Sequence, residues 1–331
     1  MVGLGHLTQV AILPAFANAE KSKLAALVSG DAGKLTKLAD KYRVPGRYTY
    51  DEYEQCLANG VDAVYIVLPN HLHMEYSVRA AKAGVHVLCE KPLAVTQAEC
   101  EEMIRAAEAN NVRLMVAYRL HLEESTLQAM RAVHGGSLGE LRIFSSDFTL
   151  QIPENNVRLT YPVAEGGGPL YDLGVYCINA ARNFFRSEPI AVSAVSANHE
   201  GPRFSKTEEM VSAVMHFPGE RLAAFSCSFG AAFIDHYSLI GAKAVLTANP
   251  GYSYSSAHTH LLTSNGKTKV RHFPKSDHFA TQLDYFSNCI FQGKEPGPSG
   301  AEGLADVRVI EAIYQAVRTG KVVHLPPLAE P

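Results

Sequence analysis

The chain has 331 residues, of which 47% are hydrophobic and 19% charged, with a formal net charge of -3. That length suits two domains, the balance is that of a folded chain, and there is no basic field to hold nucleic acid. No apolar run reaches the ~18 to 20 residues of a membrane span, and no signal peptide opens the chain; the expected location is the cytoplasm, with the periplasm as the alternative for a chain whose signal has been removed.

The chain opens Met1-Val2-Gly3-Leu4-Gly5-His6-Leu7-Thr8. A GxG after a strand and before a helix is the turn that cradles a dinucleotide pyrophosphate. Gly3, Leu4, Gly5, His6 and Leu7 are therefore cofactor-binding candidates. Two features depart from the fingerprint. Only two residues precede Gly3, leaving almost no first strand, and Thr8 stands where a small residue is usual. Pro14 falls inside the helix expected over 7–17 and should kink or shorten it.

Apolar runs at 24–28, 63–68, 85–88 and 114–117 follow, with helical stretches at 75–83 and 97–109 between them. Continuous Val/Ile/Leu runs are the mark of parallel strands buried on both faces. The run at 24–28 leads into Ser29-Gly30-Asp31-Ala32-Gly33-Lys34. An acid directly after this strand would bind a ribose 2′-hydroxyl and repel a 2′-phosphate. Ser29, Gly30 and Lys34 point instead to NADP(H). Asp31 would favour NAD if it faced the pocket.

Beyond residue 119 the texture changes to alternating strands at 141–150, 191–197, 211–217, 222–229 and 237–246, with turn signals at Pro218-Gly219 and Asn265-Gly266. Helices are expected at 170–185, 279–291 and 301–319. The fold class is α/β: a Rossmann domain over 1–118, then an α+β domain over 119–331 on a large, open, mostly antiparallel sheet. One face of such a sheet needs cover, so a homo-oligomer, most simply a dimer through that face, is expected. The six cysteines, Cys56, Cys89, Cys100, Cys177, Cys227 and Cys289, lie at no zinc-ligand spacing. They read as buried free thiols, and no metal is expected.

Three segments carry the chemistry. Leu68-Pro69-Asn70-His71-Leu72-His73 and Glu90-Lys91-Pro92 follow strands, where an open α/β sheet binds ligands. Gly166-Gly167-Gly168 leads into a helix on which Asp172 and Tyr176 share a face, with Asn179 nearby. Oxidising an alcohol needs a base for the hydroxyl proton, and a tyrosinate or a neutral lysine can serve. A lysine charge ~4 Å from a tyrosine contributes on the order of 4 kcal/mol, about three pK units, enough to bring a phenol from about 10 toward neutrality. Lys91 beside Tyr176, with Asp172 orienting either group or the substrate, forms such a relay.

With VGLG, LVSGDAGK, DAVYIVLPNHLH, AGVHVLCEKPLA, AYRLH, GGGPLYDLGVYCIN, QLDYF and ADVRVIEAIYQAVRTGK in place, the chain resembles, over almost its whole length, the glucose–fructose oxidoreductase / inositol dehydrogenase / rhizopine catabolism family. The resemblance implies that Lys91, Asp172 and Tyr176 are catalytic, and that these three with Arg119 bind substrate. Tyr176 follows the glucose–fructose oxidoreductase pattern, where many relatives have His. The resemblance further implies cofactor contacts at Tyr50, Leu68, Pro69, Asn70, His73, Glu90, Lys91, Arg119 and Arg158. Val157 replaces a tryptophan of the family pattern, Leu7 replaces an aromatic residue, and the long arm and export signal of glucose–fructose oxidoreductase are missing. The activity implied is NADP-dependent hydride transfer from C1 of a pyranose aldose, giving an aldonolactone. A retained cofactor would be reoxidised by a second sugar. An NAD-dependent polyol or inositol-type dehydrogenase, an NAD-using glycosidase and a non-enzymatic NADP sensor are the alternatives.

Overall fold

The computed structural model describes residues 1–199 and 201–327. Residues 328–331, the last four of the expected second domain, lie outside the described residues. Two compact units form, one of Met1–Leu122 with Asp277–Leu304, the other of Glu123–Ser276 with Ala305–Pro331.

The first unit has a parallel sheet of β1 (Ala26–Val28), β2 (Gly46–Tyr48), β3 (Ala63–Ile66), β4 (His86–Cys89) and β5 (Leu114–Val116). The missing first strand is Val2, which bridges both Val28 and Ile66 in parallel. Its N–H donates to Tyr65 O at 2.8 Å and its C=O accepts from Val67 N at 2.8 Å. It therefore joins the pair β1-β2 to β3-β4-β5, giving the order β2-β1-Val2-β3-β4-β5 of a doubly wound sheet. The β1 residues are all buried, as are Ile66, Leu88, Cys89 and Val116, which explains their unbroken apolar runs.

Helices α1 (Leu13–Ala15), α2 (Ala32–Tyr42), α3 (Tyr53–Ala58), α4 (His73–Lys82) and α5 (Gln97–Ala109) connect these strands. Pro14 shortens the first helix, which ends at Ala15 rather than at residue 17, and the chain before it widens into a π-turn over Thr8–Ile12 that runs on into α1. A capping box starts α5: Thr96 Oγ1 accepts from Glu99 N at 3.2 Å while Glu99 Oε2 accepts from Thr96 N at 3.0 Å.

In the second unit, α6 (Glu124–His134) and α7 (Val175–Phe185) accompany a nine-stranded sheet. Its strands are β6 (Leu141–Thr149), β7 (Ala191–Ala197), β8 (Met210–Phe217), β9 (Arg221–Ser228), β10 (Ile234–Gly241), β11 (Val245–Ala248), β12 (His258–Ser264), β13 (Lys267–Phe273) and β14 (Val323–His324). They run in the order β13-β12-β11-β10-β6-β9-β8-β7-β14, and among these only β6 and β9 pair in parallel. Inward residues such as Phe144, Phe148, Met215, Phe225 and Tyr237 are buried; on the other face Ile143, Val214, Leu222 and Leu261 are exposed.

The expected strand over 237–246 is two strands. β10 ends where Gly241 passes so close to Leu138 that a Cβ would lie 2.2 Å from its carbonyl oxygen, and β11 begins after the turn. Strands β12 and β13 were not expected, although the turn between them was. Asn265 and Gly266 have φ of 49° and 70°, the twist that closes a two-residue hairpin.

The segment 277–304 differs from the expected domain division. Helix α8 (His278–Gln292) and the start of α9 (Gly300–Thr319) belong with the Rossmann sheet. Asp277 Oδ2 accepts from Asn18 at 2.7 Å, and Asp284 accepts from the N–H groups of Glu20 and Lys21. Pro298 O accepts from Val116 N at 2.8 Å, so this returning chain pairs the otherwise open edge of β5. No helix among the described residues is long and apolar enough to cross a membrane.

Candidate active site

The glycine turn has the form a pyrophosphate needs. Gly3 has φ +93°, and a Cβ there would lie 2.2 Å from Val67 O, so only glycine fits. A Cβ on Gly5 would meet nothing within 4 Å. Gly5 and His6 are exposed, while Leu4 is buried and Leu7 half-buried. Thr8 has a use that the fingerprint does not foresee: it is fully buried, and its hydroxyl donates to Gly3 O at 2.9 Å, tying the helix to the turn.

At the end of β1, Asp31 turns out to be the N-cap of α2. Its Oδ1 accepts from Lys34 N at 2.9 Å, and Oδ2 lies 3.3 Å from Lys34 Nζ. The Lys34 N–H bond, and then the Lys34 side chain, hold the Asp31 carboxyl below its usual range. A carboxylate spent on capping is not the ribose ligand that an NAD site places here. Ser29 is buried, and its Oγ accepts from Asp31 N at 3.1 Å, which leaves the hydroxyl proton to donate. The Tyr50 ring lies over Gly30, 3.1 Å from where a Cβ would stand. The open Gly5, the donor at Ser29 and the ammonium of Lys34 fit a dinucleotide carrying a 2′-phosphate.

Leu68, Pro69 and Asn70 are half-buried in the loop after β3. His73 is fully buried. Its Nδ1 is 2.9 Å from Pro92 O and its Nε2 is 2.9 Å from Leu68 O. It therefore spans the loops that follow β3 and β4 and braces both walls, with no ring edge left for a cofactor. Burial lowers its pKa against the opposing pull of those carbonyls.

Lys91 is half-exposed, and its peptide to Pro92 is cis. Beside it, Glu90 is buried and its Oε1 accepts from Tyr65 OH at 2.6 Å. Burial raises the Glu90 pKa; the Tyr65 hydrogen bond and then the charges of Lys91 and Arg119 oppose that shift. Arg119 is buried with Nη1 3.1 Å from His278 Nδ1 of α8. Gln282, also on α8 and fully buried, donates from Nε2 to Tyr65 OH at 3.0 Å. Tyr65, His278 and Gln282 are residues that sequence reasoning missed. QLDYF contains Gln282, but nothing local in that motif says that it reaches β3.

In the second unit, Leu170–Gly174 is π-wound and continues as α7, so one helix carries both Asp172 and Tyr176. A π-turn inside an α-helix commonly marks a functional site. Arg158 Nη1 lies 3.1 Å from Asp172 Oδ2; the Asp172 side chain is 19% exposed and that of Arg158 49%. The Tyr176 ring is held between Phe148, at 5.6 Å between centroids, and Tyr252, at 5.9 Å. Such tilted aromatic contacts fix the ring plane. Asn179 is committed to the core, donating to Asp306 Oδ2 at 2.9 Å.

The glycines before this helix approach the protein itself. A Cβ on Gly167 would lie 2.0 Å from Tyr161 O, and one on Gly168, at φ +100°, would lie 2.6 Å from Glu208 Oε1. Glu208 is buried, and its Oε1 accepts from Leu170 N at 3.3 Å and Tyr314 OH at 2.8 Å. It thus caps the helix that carries Asp172 and Tyr176, a role no local pattern announced.

All six cysteines are buried and unbridged. Burial drives the Cys177 thiol up to about 12, too high for thiolate chemistry at neutral pH.

The comparisons agree with this architecture. Residues 1–118 match the model of an oxidoreductase family with an NAD-binding Rossmann fold, and residues 126–247 match the GFO/IDH/MocA C-terminal domain. The chain is similar to an aldose–aldose oxidoreductase of Caulobacter crescentus solved with glycerol, with 37% identity, a TM-score of 0.93 and 98% of each chain covered. It is 32% identical to an uncharacterised oxidoreductase of Rhizobium meliloti, covering 97% of this chain and 96% of that one. It is 29% identical to an NADP(+)-dependent D-xylose 1-dehydrogenase of Haloarcula marismortui, covering 98% and 92%. The chain belongs to the GFO/IDH/MocA family of oxidoreductases.

Proposed function

We propose that this oxidoreductase uses NADP+ to oxidise a pyranose aldose at C1, giving the aldonolactone, and runs the reverse step on a second sugar. NADP+ supplies the hydride acceptor. The observation that carries the reading is Lys91 at a strand end and Asp172 with Tyr176 on one helix, in a chain similar throughout its length to an aldose–aldose oxidoreductase. The cofactor reading is supported by Asp31 acting as a helix cap. Gly3, Leu4, Gly5, His6 and Leu7 would line the pyrophosphate. Ser29, Gly30 and Lys34 would take the 2′-phosphate end, Tyr50 would cover it, and Leu68, Pro69 and Asn70 would face the nicotinamide half.

In the oxidative direction Tyr176 accepts the C1 hydroxyl proton as hydride leaves C1. The Lys91 ammonium stabilises the phenolate and binds the same hydroxyl. Asp172, oriented by Arg158, and Arg119 hold neighbouring sugar hydroxyls. In reverse, Tyr176 returns the proton to the carbonyl oxygen.

Protein purified without added cofactor is the material for the test. NADPH absorbance that bleaches with one sugar and returns with another supports the cycle. Lys91→Ala and Tyr176→Phe should each lower turnover by about 10² to 10⁴. Oxidation of inositol-type polyols with NAD+, and of no aldose, would favour the polyol dehydrogenase reading. Unchanged function in both variants would leave only a sensor. The second proposal is a homodimer through the exposed sheet face, where Ile143, Val214, Leu222 and Leu261 stand outward. Light scattering that reads a monomer would overturn it.

A further inference from the structure

The site residues named so far leave unexplained a buried polar chain in the Rossmann unit. Gln282 Nε2 donates to Tyr65 OH at 3.0 Å, and Tyr65 OH donates to Glu90 Oε1 at 2.6 Å. Gln282 is fully buried, Tyr65 is 5% exposed and Glu90 8%. Gln282 and Tyr65 are 217 residues apart in sequence. Burying an amide and a phenol costs free energy unless both are used, so the chain needs a reason beyond packing.

Its direction gives the reason. The amide donates to the phenol oxygen, and the phenol donates to the carboxylate, so every proton points toward Glu90. That arrangement fits an ionised Glu90. Gln282 Oε1 meanwhile has no hydrogen-bond partner among the described residues. If Glu90 takes a proton, its O–H donates to the phenol oxygen, the phenol turns its own proton away, and the amide flips to accept it on Oε1. The amide at 282 offers a donor to one state and an acceptor to the other. The other groups facing Glu90 are Lys91 in the next position, Arg119, which meets His278 of α8, and Cys89 in β4.

We propose that Tyr65 and Gln282 are positioning residues for Lys91: they hold the Glu90 carboxyl in both protonation states and through it set how firmly Lys91 keeps its proton. This rests on Lys91 being catalytic. An ionised Glu90 stabilises the Lys91 ammonium; a neutral one withdraws that stabilisation. Chains of hydrogen bonds strengthen one another, so the amide acts on Glu90 only through the phenol.

The test separates the relay from the catalytic reading because it is first read without turnover. In protein labelled with ¹³C at glutamate carboxyls and free of cofactor, the Glu90 signal is assigned by its loss in Glu90→Gln. Tyr65→Phe costs the charged form more than the neutral one, because the charge-assisted bond is the stronger, so Glu90 should titrate about half a unit to two units higher. Gln282→Met should move it the same way by less. The double variant should match Tyr65→Phe alone, because without the phenol Gln282 has no link to Glu90. The acid limb of the kcat–pH profile should move up by the same amount, with NADP+ affinity changed less than about threefold. A Glu90 titration unmoved in Tyr65→Phe, or strictly additive shifts in the double variant, overturns the relay. Unmoved kcat limbs despite a shifted Glu90 overturn its link to Lys91. Full turnover in Lys91→Ala instead overturns the catalytic reading, and the Glu90 titration distinguishes that case.

Discussion

Two glycine-rich turns in this chain look alike in sequence and differ in what they approach. Gly3-Leu4-Gly5 and Gly166-Gly167-Gly168 each lead into a helix that begins π-wound, Thr8–Ile12 in one case and Leu170–Gly174 in the other. At the first turn one glycine is packed against Val67 O while Gly5 faces open space. At the second, the space beside Gly167 and Gly168 is filled by the protein, the Tyr161 carbonyl and the Glu208 carboxylate. The first turn leaves room for a ligand at a helix N-terminus. The second spends its room on fastening the helix that holds Asp172 and Tyr176. A missing Cβ therefore marks close approach, and only the neighbouring atoms tell whether the approaching partner is a ligand or the fold.

Adding a methyl to each turn is the sharpest way to break this contrast. Gly168→Ala should have the largest effect on the fold. It places a Cβ 2.6 Å from Glu208 Oε1 at φ +100°. A loss of about 2 to 4 kcal/mol in chemical denaturation is expected. A loss under about 0.5 kcal/mol would mean that the loop can move aside and that Glu208 does not hold it.

Gly5→Ala should do the converse. Nothing lies within 4 Å of the added methyl, so stability should stay within about 0.5 kcal/mol of the parent. NADP+ affinity should fall about tenfold, or about 1.4 kcal/mol, because the methyl stands where the pyrophosphate backbone approach occurs. Calorimetric titration and denaturation of the same sample check both halves. Unchanged affinity would place the open space away from the cofactor; lost stability would make the two turns equivalent.

The Rossmann sheet was readable because its strands are buried on both faces, so 24–28, 63–68, 85–88 and 114–117 stand out as apolar runs. Pro14 marks the end of the first helix, as its missing N–H predicts, but the π-turn over Thr8–Ile12 before it leaves no signal in the sequence. Asp31 was ambiguous because the same residue type caps helices and binds ribose; side-chain direction decides, and here it bonds Lys34 N. Gln282 and Glu208 were invisible as site residues for a different reason. Each acts on a residue far away in sequence, Tyr65 in one case and Leu170 in the other, and no local pattern encodes such a pairing. Lys91, Asp172 and Tyr176 stand as candidates mainly through family resemblance, since a lone Asp and Tyr on a helix carry little signal by themselves.

The smallest expected effect concerns how the second turn is held. Burial raises the Glu208 pKa against the bonds from Tyr314 and Leu170, so ionising it in the folded protein is disfavoured. Its contribution to stability is thus full below the unfolded carboxyl pKa and is lost as pH rises through the raised folded value. Glu208→Gln keeps an acceptor for Leu170 N and Tyr314 OH, and places the amide nitrogen where Oε2 has no hydrogen-bond partner among the described residues. It removes the ionisation altogether. The Tm of Glu208→Gln relative to the parent should therefore climb as pH rises above the unfolded carboxyl pKa, while the parent alone loses ground. A difference that stays constant over that rise would mean that Glu208 does not change charge there. The Gly168 turn would then be fastened by a permanent carboxylate at a helix N-terminus, and the contrast with the Gly5 turn would be one of charge as well as of space.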